Sequence, residues 1–126
     1  MIKIASMIIN NRKINIAFDT AAMMATEERF GSVSTVTAAI NAESNSLRNR
    51  LDFIRICADG GQRHKPTDEG AVDDEWLIHN SAPHEISKLL KLAIENAGVN
   101  MSGREPRKEE PVDIVLEELE GKNVQG

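Results

Sequence analysis

Of 126 residues, only one is cysteine, none is tyrosine, one is tryptophan and three are phenylalanine. Each shortage excludes something. The lone Cys57 rules out an intramolecular disulfide framework and a CxxC metal site. It also suits a reducing compartment, which points to a cytoplasmic protein. With aromatics at 3%, there are few platforms on which single-stranded nucleic acid could stack. Basic residues are not in surplus: the net charge is −5, against the positive balance that phosphate binding demands. No run approaches the roughly 18 apolar residues of a membrane-spanning helix. The N-terminus lacks the continuous apolar stretch of a signal peptide.

A core can nevertheless form. Leu, Ile, Val and Phe make up 31 of 126 residues, above the level at which chains stay disordered. The length fits one domain.

The first segment alternates. Ile14, Ile16 and Phe18 share one face of a period-two pattern, the mark of a half-buried strand. A β-branched run, Ile2, Ile4, Met7, Ile8 and Ile9, precedes it. Asn10-Asn11 lies between them, and Asn tolerates the left-handed backbone of tight turns. A β-hairpin over about residues 2–18 follows. A lone hairpin is barely stable in water, so it must pack on helices.

The period then changes to that of a helix. Asp19 or Thr20 can cap a helix over 21–30, and Gly31 can end it. Ser32 or Ser34 can start a second, short helix through Ile40. Ser46 is a plausible cap for a third, with Leu47, Leu51, Ile54 and Ala58 as its apolar stripe and Gly60-Gly61 as its stop. Asp73 or Asp74 can cap a fourth with Trp76, Leu77 and Ile78. Ser81 reads as the N-cap of the fifth, with Pro83 in its first turn. Ile86, Leu89, Leu90, Ala93, Ile94 and Ala97 form that helix's stripe, and Gly98 its stop. The pattern predicts a mainly α (α+β) fold: an N-terminal hairpin, about five helices and a flexible C-terminal tail. The division falls at 1–100 for the domain and 101–126 for a Pro- and Gly-containing linker with a short amphipathic segment. From Arg104 onward four bases meet seven acids, so this end carries −3 of the net charge.

Candidate chemistry is thin. His64, His79 and His84 fit no metal-ligand spacing and read as surface or capping residues. The acids between Asp68 and Glu75 lack the spacing of a calcium loop and suit a helix N-terminus. Cys57 lies on an apolar face, where a thiol acts as a small hydrophobe. Arg48, Arg50, Arg55, Arg63 and Lys65 alternate with Asp52 and Asp59, as on a salt-bridged helix face. No nucleophile–base pair, catalytic residue, cofactor loop or metal site emerges. One feature remains. Val112, Val115, Leu116 and Leu119 line one face of a helix too short to hold alone. It docks either on its own domain or on a partner, in the helix-in-groove manner.

The order of pieces resembles the tail assembly chaperones of long-tailed (siphovirus-type) bacteriophages and prophages. The resemblance is carried by Ile8-Ile9-Asn10-Asn11-Arg12-Lys13-Ile14-Asn15-Ile16-Ala17-Phe18, then Glu27-Glu28-Arg29-Phe30-Gly31. Ala58-Asp59-Gly60-Gly61 with Arg63-His64 follows, and finally the two helices from Asp73 to Gly98. It covers about residues 5–100. It implies a mainly helical, self-associating protein with no cofactor and no catalytic activity, made in the host cytoplasm and absent from the mature virion. Its partners would be the tape-measure and tail-tube proteins, not nucleic acid or membrane. In that family a longer product arises by ribosomal frameshifting near the stop codon, and Glu120-Gly121-Lys122 can be encoded by a slippery run. The competing expectation is a small structural head–tail adaptor, which would be found in the particle. A DNA-binding regulator and a small hydrolase are disfavoured by charge and by the missing catalytic pair.

Overall fold

The computed structural model describes residues 1–32 and 46–103. Helix accounts for 62% of the described residues, so the fold is mainly α with one hairpin. Strands β1 (Ala5–Ile9) and β2 (Arg12–Ile16) pair antiparallel, Ala5 opposite Ile16 and Ile9 opposite Arg12. Asn10 and Asn11 both adopt positive φ, 50° and 65°. That is the two-residue turn whose twist matches the strands it joins.

Four helices follow: α1 (Thr20–Phe30), α2 (Leu47–His64), α3 (Asp74–Asn80) and α4 (Pro83–Ser102). The expected short helix over 32/34–40 lies outside the described residues, so four of the five expected helices are described. Local capping chemistry sets three of the starts. The side chains of Asp19, Ser46 and Asp73 accept from the backbone N–H of Ala22, Asn49 and Trp76. Each satisfies a donor that the first turn leaves unpaired.

Three expected boundaries are corrected. Gly60-Gly61 does not stop α2, which continues to His64. Gly98 does not stop α4, which runs to Ser102 before Gly103 takes a left-handed φ of 74°. A helix tolerates glycine in its interior at a cost of about 1 kcal/mol when packing holds the turns on either side. Ser81 is not the N-cap of α4 but ends α3, its N–H and hydroxyl both donating to the Leu77 carbonyl. Ala82 precedes Pro83 at the start of α4, and the Glu85 carboxylate accepts from the Ala82 N–H at 2.8 Å.

The core lies where one face of the hairpin meets α2 and α4. Ile9, Ile14 and Ile16 pack with Phe18, Phe53, Ile54, Leu77, Leu89 and Ala93. The Phe18 and Phe53 rings meet tilted, 6.1 Å apart. Cys57 is buried there, and burial, helped by the nearby Asp19 charge, pushes its thiol far above the usual range. It is a packing residue.

Candidate interaction surface

A two-stranded sheet has two edges, and each exposes unpaired backbone groups. Here α2 closes one of them. Gly60 and Gly61 bring its backbone against Asn15, Ile16 and Ala17, so closely that a Cβ on either glycine would collide with the strand carbonyls. The Ala17 N–H donates to the Cys57 carbonyl at 3.1 Å. Asn15 donates its side-chain N–H to the Lys65 carbonyl at 2.9 Å, just past the end of α2.

Among the described residues the β1 edge is open. In a hairpin with a two-residue turn, Ile9 and Arg12 form a hydrogen-bonded pair and the pairs alternate from there. Met7–Ile14 and Ala5–Ile16 are therefore bonded inward, whereas Ser6 and Ile8 turn their N–H and C=O groups away from β2. Among the described residues no hydrogen bond reaches those outward groups. Side chains follow the same alternation. Ala5 and Met7 pack towards the core, while Ile4 and Ile8 point out, 38% and 65% exposed. Nothing between Ile4 and Ile9 is charged or proline, so two of the usual protections of an edge strand are missing.

Much of the other polar chemistry among the described residues is paired, although Asn15 Oδ1 is buried without a hydrogen-bond partner. Asp19 is both the cap of α1 and an anchor for the end of α2. Arg63 donates to its two carboxylate oxygens at 2.7 and 2.9 Å, and His64 Nε2 lies 2.9 Å from Oδ2. The Arg63 guanidinium foremost, with the Ala22 N–H and His64, holds the Asp19 carboxyl far below the usual carboxylate range despite burial. Arg63 is correspondingly raised by the same contact. A lowered carboxylate stabilises the fold above its unfolded value, near 3.9, and that stabilisation is lost as pH falls through the folded value. Asp19→Asn keeps a good cap but loses the charge. It should cost about 2 kcal/mol at neutral pH, a figure reduced because Arg63 is partly in solvent, and much less near pH 2. Urea unfolding at both pH values checks this: equal losses would show that the charge is not what matters.

The alternating charges on α2 form a network with α1 and α3. Arg55 meets Asp59 at 3.5 Å, Arg29 meets Asp52 at 2.9 Å and Arg48 meets Asp74 at 2.8 Å. Burial, then the neighbouring Asp52 carboxylate, raises Asp74. Burial likewise raises Asp59, against the pull of Arg55 and Arg63. Arg12 stacks over Trp76, 4.8 Å from the ring centre, beside a shallow cleft rimmed by Glu69, Asp73, Glu75 and His79. Among the described residues no three His, Cys, Asp or Glu side chains gather as metal ligands would. No described helix is long and apolar enough to cross a membrane.

No protein-family model, curated protein or solved structure matches the chain.

The expected partner-binding residues Val112, Val115, Leu116 and Leu119 lie outside the described residues. His79 faces Glu75 on the exposed side of α3. His64, expected at the surface or as a cap, is exposed and also the third group on Asp19. The β1 edge was not legible as a site in the sequence. Its one signal was the β-branched run, which reads the same whether α2 covers β1 or β2.

Proposed function

We propose that this protein is a phage tail assembly chaperone, a non-enzymatic binder of tape-measure and tail-tube proteins in the host cytoplasm. The observation that carries this reading is where the resembling motifs fall. Asn10-Asn11 forms the hairpin turn, and Glu27-Glu28-Arg29-Phe30-Gly31 ends α1, with Gly31 at a φ of 104°. These two motifs thus coincide with turns, while Ala58-Asp59-Gly60-Gly61 falls inside α2, and the described elements follow the order hairpin, helix, long helix, short helix, long helix. An edge strand without charge, flanked by exposed Ile4 and Ile8, suits a protein whose work is to hold other chains. Binding a partially unfolded partner keeps it soluble by mass action.

Co-expression with the tape-measure protein of the same genome tests the reading. The two should co-purify, and the tape-measure protein should precipitate when expressed alone. Val115→Asp with Leu119→Asp should weaken that capture at least tenfold while shifting the melting temperature by no more than about 2 °C, as a segment that serves a partner would; a drop as large as a core substitution causes would assign it to the domain core instead. Stoichiometric presence of the protein in purified particles would overturn the proposal and favour the head–tail adaptor.

A further inference from the structure

We propose that the open β1 edge pairs with β1 of a second copy, joining two hairpins into a four-stranded antiparallel sheet about a two-fold axis at Ser6. The outward backbone groups belong to Ser6 and Ile8, with Ile4 continuing the alternation. These three positions are symmetric about Ser6. An identical strand laid antiparallel places Ser6 opposite Ser6, Ile4 opposite Ile8 and Ile8 opposite Ile4. All three are then hydrogen-bonded pairs, and every outward N–H and C=O finds a partner. No other antiparallel register pairs these three positions solely with one another.

Side chains and charge favour the same occupant. Ile4 and Ile8 lie on one face, so each exposed isoleucine gains an isoleucine across the new ladder, a favourable cross-strand pair. On the core side Ala5 meets Met7, a small residue against a large one. The charged residues flanking the strand meet no like charge. Lys3 falls opposite Ile9, and Lys13 is separated from the partner by the full width of β1. A closed two-fold contact of this kind is isologous and stops at the dimer. Its area is small, since five residues per strand cover well under the roughly 1,200 Å² at which stable interfaces begin. The dimer is therefore weak and concentration-dependent.

The pairing does not depend on the chaperone reading, because a dimer can form in a chain that binds no tail protein. Sedimentation equilibrium of the full chain, from low micromolar to millimolar concentration, is the test. The wild type should pass from monomer to dimer. Ile4→Lys with Ile8→Lys places lysines opposite each other and should weaken dimerisation at least tenfold. Ile4→Lys with Ile8→Glu places opposite charges face to face and should keep it. Far-ultraviolet circular dichroism and melting should be unchanged in both, since the two side chains point to solvent. Ser6→Pro removes an outward N–H that the hairpin does not use, and should also abolish the dimer. A wild type that stays monomeric throughout, or a Lys/Lys variant that dimerises as well as the Lys/Glu variant, would overturn the proposal.

Discussion

Gly61→Ala should destabilise the fold by about 3 kcal/mol, a drop in melting temperature of roughly 12–20 °C for a domain this size. Gly61 sits inside α2, where alanine is ordinarily the better helix former by about 1 kcal/mol. Tertiary packing reverses that preference. The added methyl would enter the space held by the Asn15 carbonyl and crowd the Ile16 N–H. The obstacle is backbone on a paired strand, not the end of a flexible side chain. Relief requires α2 to move off β2, opening the contacts of Ile54, Cys57 and Ala58 with the hairpin. Gly98→Ala in α4 is the matched control, because a Cβ there meets nothing within 4 Å. It should be neutral or stabilising by up to about 1 kcal/mol. Thermal unfolding of the two variants side by side checks the claim. If Gly61→Ala melts within about 2 °C of the wild type, α2 does not pack against the strand backbone.

Asn96→Leu should cost about 3 kcal/mol, although it replaces a polar residue in a buried stripe by an apolar one. Asn96 is 6% exposed. Its Oδ1 accepts from the Phe18 N–H at 2.7 Å, and its Nδ2 donates to the Lys3 carbonyl at 2.9 Å. The hairpin register would place Lys3 opposite Phe18, two residues beyond the Ala5–Ile16 pair. The strands have parted there, and the Asn96 amide takes the place of the missing ladder bonds. Leucine fills the volume and leaves the Phe18 N–H without its acceptor in a fully buried site, while the Lys3 carbonyl keeps the Asn100 Nδ2 donor at 3.1 Å. Asn100→Ala should cost about 1 kcal/mol, because its bonds to Lys3 are only partly buried. Hydrogen exchange supplies a local readout: the Phe18 amide should lose most of its protection in Asn96→Leu and keep it in Asn100→Ala. Retained protection in Asn96→Leu would mean that another acceptor serves that amide.

Where the deciding interaction was short-range, the sequence was readable. Alternation from Ile14 to Phe18 and the Asn-Asn pair marked the hairpin, because strand period and left-handed turns are set within a few residues. Asp19, Ser46 and Asp73 marked helix starts, because a cap bonds a backbone N–H three residues on. The misread places share a different trait. Gly60-Gly61 has the same local chemistry whether it ends a helix or lets one approach a strand, and the choice was made by β2, more than 40 residues away. Gly98 likewise offers a stop that α4 does not use. Asn96 carries no local signal of its role, which comes from Lys3 and Phe18 at the frayed end of the hairpin. The role of His64 depended on Asp19, 45 residues earlier.

Local patterning alone yields the class of fold, the starts of α1, α2 and α3, the apolar stripes and the acidic, aromatic-poor character of the chain. These follow from backbone sterics, local capping and the periodicity of side chains. Which edge of the hairpin is covered was settled by the packing of α2 against β2. A strand's pattern of inward and outward groups is identical along both edges, and the glycine pair that lets α2 reach β2 acts across space. Among the described residues that placement leaves β1 as the free edge and makes it the surface on which binding can be tested.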